Sequence, residues 1–171
     1  MLHLYTGGGK GKTTSAMGLA LRMAGHGKKV LVCQFLKDGT SGELEALSQM
    51  RTVTVWASGG MQGFYSKMGL ADQARVREDM KKQVEGIREA MGLLTPDLIV
   101  LDELAEAMAL GCVSEQDGMR LITDAMQYGE VAVTGREAPE VISDMADYVT
   151  EMRCIRHPYA KGTGAREGIE Y

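Results

Sequence analysis

Thr6-Gly7-Gly8-Gly9-Lys10-Gly11-Lys12-Thr13-Thr14 is the stretch on which the reading of the fold turns. Leu2 to Tyr5, just before it, read as a short strand, and the stretch from about Lys12 to Ala24 reads as a helix. A glycine-rich turn between strand and helix is the context in which a chain cradles phosphate. Glycines let the backbone curl so that several N–H groups point inward at phosphate oxygens. The helix start adds partial positive charge. Lys12 supplies a mobile cation for the outer phosphates, and the Thr13 hydroxyl can bind Mg²⁺. The spacing departs from G-x-x-x-x-G-K-[ST]: Thr6 stands where that pattern has its first glycine, and counting from Gly7 leaves the loop one residue short. Taken alone, the same residues would also serve as a turn opening a helix, with Lys10 and Lys12 merely solvated.

Beyond this loop, short apolar runs alternate with amphipathic stretches, the pattern of a mostly parallel sheet with helices on both faces. Gly25-His26-Gly27 closes the first helix. Val30 to Phe35 are apolar almost throughout, as a strand buried on both faces requires. A short helix over Glu43 to Gln49 and a strand over Val53 to Trp56 follow, then a glycine-rich loop from Ala57 to Gly69. Ala71 to Leu94 form the longest helix, with Val76, Met80, Val84, Ile87 and Met91 on one stripe. Leu98 to Leu101 read as a buried strand, Ser114 and Asp117 as a capping pair opening a helix towards Met126, and Val131 to Thr134 as a strand. Pro139 suits the first turn of another helix, and Tyr148 to Ile155 a last strand before an irregular tail. With 171 residues, no repeats and no linker, one domain spanning 1–171 is expected.

Two further clusters fall at strand ends. Asp102-Glu103 follow Leu98 to Leu101 directly, where a carboxylate can hold Mg²⁺, an ion that keeps several waters and needs few protein ligands. The alternative is that Asp102 caps the next helix. Glu106, one turn on, reads as a surface charge. Thr134-Gly135-Arg136 ends another strand, and ligands of open α/β sheets sit outside the carboxyl ends of strands. Arg136 there would face phosphate or a substrate carboxylate or amide, or form a surface ion pair.

Composition narrows the class. A net charge of −4 gives no general attraction to nucleic acid or an anionic membrane. The three cysteines, Cys33, Cys112 and Cys154, form no CxxC pair, and the three histidines build no metal-ligand spacing, which fits a reducing cytoplasm. No apolar run reaches membrane-spanning length, and no signal-peptide pattern is read ahead of the first strand. The 13 methionines are read as core filling.

At these residues the chain resembles the P-loop type of the ATP:corrinoid adenosyltransferase family, which includes cob(I)yrinic acid a,c-diamide adenosyltransferases. The family loop commonly reads Gly-Asn-Gly-Lys-Gly-Lys-Thr-Thr; here Gly7 to Thr14 have the same short spacing, with Gly8 in place of asparagine. Arg22-Met23-Ala24-Gly25-His26-Gly27-Lys28 resembles its R-x-x-G-H-G-K stretch, and Gln34-Phe35-Leu36-Lys37 its Q-F-I-K. Leu101-Asp102-Glu103-Leu104 is similar to L-D-E-L, Thr134-Gly135-Arg136 matches T-G-R, and Ala146 to Arg153 with Gly168 to Tyr171 resemble the closing segment.

The resemblance implies a three-layer, P-loop NTPase-like (RecA-like) fold. It implies that Gly7, Gly8, Gly9, Lys10, Gly11, Lys12, Thr13 and Thr14 bind the triphosphate. Thr13, Asp102 and Glu103 would serve Mg²⁺ or Mn²⁺, Lys12 and Glu103 would support catalysis, and Arg22 and Arg136 would contact ATP or corrinoid. It further implies a homodimer. No G-x-G-x-x-G fingerprint suits a flavin or nicotinamide here, so an electron-donor protein is expected. Some members carry Gly-Phe-x-Trp near Ser58 to Tyr65, with aromatics facing the corrinoid; here Phe64 and Tyr65 lie a few residues on. The N-terminal extension that covers the corrinoid in some members is also expected to be absent.

The family moves the 5′-deoxyadenosyl group of ATP to cobalt(I), leaving triphosphate. Cobalt(I) is the nucleophile, so no activated serine or cysteine is required, and none is apparent. Two other readings share the loop: an ATP hydrolase or kinase, told apart by release of phosphate or ADP, and a nucleotide-dependent corrinoid-binding switch, told apart by binding without turnover.

Overall fold

The structure is a computed structural model that describes residues 1–37, 41–57 and 65–169. Six strands form one sheet: β1 (Leu2–Thr6), β2 (Val30–Gln34), β3 (Val53–Ala57), β4 (Leu98–Asp102), β5 (Glu130–Thr134) and β6 (Tyr148–Glu151). Their order is β3-β2-β4-β5-β1-β6, and every pairing is parallel. The helices are α1 (Lys12–Gly25), α2 (Gly42–Ser48), α3 (Leu70–Leu94), α4 (Leu104–Ala109), α5 (Glu115–Met126) and α6 (Glu140–Met145). Parallel neighbours need a crossover, and the helices supply it while covering both faces.

Alternation along the central strands sorts their side chains between two cores. Leu31, Cys33, Ile99, Leu101, Val131 and Val133 pack with Met80, Val84, Ile87 and Met91 of α3 and with α4 and α5. Val30, Val32, Leu98, Val100 and Ala132 face the other way, onto Ala16, Met17, Ala20 and Ala24 of α1 and Leu44 and Leu47 of α2. The small residues of α1 let that helix approach the sheet closely. Ile87 is wholly enclosed, and burial of such a side chain contributes about 1.5–3 kcal/mol.

The expected elements are present with shifts of a residue or so at their ends. Ser114 caps α5 as the pattern indicates, its hydroxyl accepting from Asp117 N–H at 3.0 Å. One strand differs in length. Tyr148 to Ile155 was expected to stay extended, but β6 stops at Glu151. There the backbone turns onto the glycine loop: Met152 N–H donates to Thr6 at 2.7 Å, and the Met152 carbonyl accepts from Gly9 N–H at 2.6 Å. The tail then contains a 3₁₀ turn at Pro158–Lys161. No helix among the described residues is long and apolar enough to cross a membrane.

Candidate active site

The glycine loop, the end of β4 and the end of β5 meet at the carboxyl edge of the sheet. Strand order explains why. β5 lies between β1 and β4, so the glycine loop and the acid strand are not neighbours and a β5 residue must bridge them. Thr134 does so: its hydroxyl donates to Asp102 Oδ1 at 2.8 Å and accepts from Glu103 N–H at 2.9 Å.

Asp102 is fully buried. Its Oδ1 accepts from the hydroxyls of Thr13 (2.9 Å) and Thr134, and its Oδ2 from Gln34 Nε2 (3.0 Å) and Lys37 Nζ (3.3 Å). A buried carboxylate is stable only when its lone pairs are occupied in this way. Asp102 therefore does not cap α4; the capping position belongs to Glu103, whose side chain makes no capping bond. Glu103 takes the left-handed conformation, φ 64°, and its carboxylate lies 3.6 Å from Lys37 Nζ. Burial pushes the Glu103 carboxyl above its ordinary range, while Lys37 pulls it back.

Around the loop, Lys12 Nζ donates to the carbonyls of Gly7 (2.6 Å) and Gly9 (2.8 Å), laying an ammonium across the curl. Burial lowers the Lys12 pKa, and repulsion from Arg136 lowers it further. The two cations thus repel one another, a cost that a nearby polyanion would relieve. The first N–H groups of α1 have no partner within the helix and point the same way. Gly7 (φ 94°) and Gly11 (φ 119°) occupy backbone regions that other residues avoid. At Gly9 a Cβ would stand 2.7 Å from the Met152 carbonyl oxygen, whereas at Gly8 nothing lies within 4 Å. Gly8 therefore has room for the asparagine common in the resembling loops.

The structure brings together Gly7 to Thr14, Asp102, Glu103 and Arg136. The Arg136 carbonyl accepts from Gly7 N–H (3.1 Å) and the Thr6 hydroxyl (3.2 Å), and the Lys10 ammonium donates to the Ile169 carbonyl. Arg22 is not gathered with them. It is exposed in the last turn of α1, about 15 Å along the helix from Lys12. Phe64 lies outside the described residues. The Tyr65 ring is buried in the core, and its hydroxyl accepts from Arg77 at 2.7 Å.

Three residues were not singled out as site residues. Gln34 and Lys37 hold Asp102; their signal was a polar amide inside an apolar strand and a charge just past its end. Glu106 is more than a surface charge, since its carboxylate accepts from the N–H groups of Arg136 (2.9 Å) and Glu137 (3.4 Å) and pins that turn.

Residues 1–171 match the family model described as ATP:corrinoid adenosyltransferase BtuR/CobO/CobP. The chain belongs to this family. A corrinoid adenosyltransferase of Pseudomonas aeruginosa is 36% identical over 178 residues, covering 100% of this chain and 83% of that protein. The corrinoid adenosyltransferase CobA of Salmonella typhimurium is 34% identical and that of Escherichia coli strain K12 is 32% identical, each over 180 residues with 85% of the relative covered. Membership makes the chain an ATP:corrinoid adenosyltransferase.

The donors there suit a small divalent cation. The Thr13 hydroxyl spends its proton on Asp102, which leaves its oxygen lone pairs for a metal. A cation, the Lys37 ammonium, already stands between the two acids. No group of three or more His, Cys, Asp or Glu suited to a metal occurs among the described residues. Magnesium does not require one, because water and phosphate oxygens complete its shell.

Proposed function

We propose that this adenosyltransferase binds ATP with its triphosphate in the Gly7–Thr14 loop and transfers the 5′-deoxyadenosyl group to cobalt(I) of a reduced corrinoid. The observation that carries the assignment of the site is the meeting of loop and acid strand through the Thr13–Asp102 hydrogen bond. Cobalt(I) donates an electron pair to the 5′-carbon. The bond from that carbon to the triphosphate oxygen breaks, its electron pair leaves with the triphosphate, and the metal becomes formally cobalt(III).

The protein needs neither a nucleophile nor a general base for this step, because no proton leaves the attacking atom. Its work is to stabilise and align. Loop N–H groups, Lys12 and Arg136 neutralise charge that builds on the leaving triphosphate. Held at Thr13 and Glu103, with Asp102 orienting Thr13, Mg²⁺ would supply Lewis-acid stabilisation of the same oxygens. Gln34, Thr134 and Asp102 fix the hydroxyl that orients the cation, so little reorganisation is left for the reaction itself. A homodimer, an electron-donor protein and a cytoplasmic setting complete the proposal by family analogy.

An anaerobic assay with ATP, Mg²⁺ and chemically reduced cob(I)alamin tests it. Growth of the adenosylcobalamin spectrum with stoichiometric triphosphate is expected. Corrinoid-independent release of ADP and phosphate would make the site that of a hydrolase.

A further inference from the structure

Lys37 stands one residue past Leu36, which takes the left-handed conformation at φ 58°. Such a backbone is uncommon for a branched side chain. It follows directly on the bond from Phe35 N–H to the Asp102 carbonyl (2.9 Å), which ties the end of β2 to the end of β4. The stem of Lys37 thus starts from a fixed point beside the acids, and its ammonium lies 3.3 Å from Asp102 Oδ2 and 3.6 Å from Glu103 Oε1.

We propose that Lys37 is a resident counter-ion of the acid pair, offsetting part of the charge of Asp102 and Glu103 while no divalent cation is bound and giving up its place when one arrives. The inference rests on reading this site as the one for ATP and Mg²⁺.

Three observations carry it. First, the acids need a cation at all times. Asp102 has no exposed surface, Glu103 is largely enclosed, and Glu106 adds a third negative charge nearby. Second, Lys37 is placed to leave. Its side chain is 36% exposed, and a lysine stem carries a compact charge on rotatable carbons. Third, its departure does not undo the site. Thr13, Thr134 and Gln34 hold Asp102 at 2.8–3.0 Å, closer than the 3.3 Å of Lys37. Mg²⁺ sits about 2.1 Å from its oxygens, so an ammonium kept on the Glu103 carboxylate would face a metal held there at a few ångströms. The two cations are therefore alternatives. Lys12 differs, being anchored on the carbonyls of Gly7 and Gly9.

Titration of the full chain with Mn²⁺ alone, followed by loss of the free-ion paramagnetic signal, reads this directly. Lys37→Met is expected to bind Mn²⁺ on the order of tenfold more tightly than the unmodified chain, the scale of one unit charge a few ångströms away in a half-wet site. Lys37→Arg, which keeps the charge, is expected to stay within about twofold of it. Unchanged or weaker Mn²⁺ binding in Lys37→Met would overturn the proposal. Lys37→Gln gives a second neutral variant, and a thermal melt shows that each variant is folded.

A calorimetric ATP titration without corrinoid separates a counter-ion from a phosphate-binding lysine. As a counter-ion, Lys37→Met loses ATP affinity on the order of tenfold in EDTA, where bare carboxylates repel the triphosphate, and much less in Mg²⁺. Equal losses in both buffers would make Lys37 a direct phosphate ligand and overturn the proposal. Failure of the transferase reading would appear instead as missing adenosylcobalamin, with the Mn²⁺ result unaffected.

Discussion

Strands β4 and β6 end at the same glycine loop, yet their surroundings differ at every position. All residues of β4 are buried, and the strand ends in Asp102, a carboxylate held by Thr13, Thr134, Gln34 and Lys37. All residues of β6 are exposed, and it reaches the loop through backbone, with the Met152 carbonyl accepting from Gly9 N–H. The central strand supplies a fixed charge, because charge can be held still only where packing and hydrogen bonds fix every partner. The turn that leaves the edge strand supplies shape, its Met152 and Arg153 backbone walling the loop so closely that Gly9 has no room for a side chain.

Four expectations break or sharpen that contrast. The largest effect is at the loop itself. Lys12→Ala should lower the transfer rate by about 10²–10³-fold, as loss of one preorganised donor does. The melting temperature should stay within about 4 °C of the unmodified chain. Rate in the adenosylcobalamin assay and a thermal scan check both, and near-normal turnover would remove the loop from the mechanism.

Matched truncations come next. Val100 in β4 is wholly buried, whereas Val149 in β6 is 52% exposed. Val100→Ala should cost about 2–3 kcal/mol through its lost contacts and cavity, and Val149→Ala less than about 0.5 kcal/mol. Equal losses in denaturant melts would mean that β6 is covered in solution, as a homodimer through that edge would require.

A third pair tests the wall. Gly9→Ala sets a Cβ against backbone at 2.7–2.8 Å, and Gly8→Asn enters open space. Gly9→Ala is expected to cost about 1–3 kcal/mol through overpacking and to weaken ATP binding in calorimetry. Gly8→Asn should bind ATP as the unmodified chain does.

The smallest effect is a pH dependence. Burial raises the folded-state pKa of Glu103 above the unfolded value near 4.5. The folded protein then holds this proton more tightly than the unfolded chain. Its stabilising contribution is full below about pH 4.5 and declines as pH rises through the folded pKa. Metal-free Glu103→Gln, which cannot ionise, should therefore melt about 1–2 °C higher at neutral pH and match the unmodified chain near pH 4. A lower melting temperature at neutral pH would show that the pairing with Lys37 outweighs burial.

Much of the candidate site was legible in the sequence, because its parts are local. The loop's glycines, Lys12 and Thr13 lie within seven residues, and Asp102 follows an apolar run that reads as a buried strand. Glu106 was misjudged because its partners, the backbone amides of Arg136 and Glu137, lie 30 and 31 residues away. Lys37 and Gln34 were visible as part of a motif, but nothing local joins them to an acid 65 and 68 residues on. Tyr65 drew attention as an aromatic in a glycine-rich stretch, and long-range packing placed it in the core.

The order of residues alone settled the class of fold and the family and marked out the glycine loop, since strand, turn and helix signals and a series of short motifs are written in neighbouring positions. Folding settled which residues share the site. It placed β5 between loop and acid strand so that Thr134 could bridge them, turned Leu36 so that Lys37 meets Asp102 and Glu103, and ended β6 where Met152 meets Gly9. Those contacts depend on strand order and backbone geometry across the sheet, which pairings distant in sequence determine together.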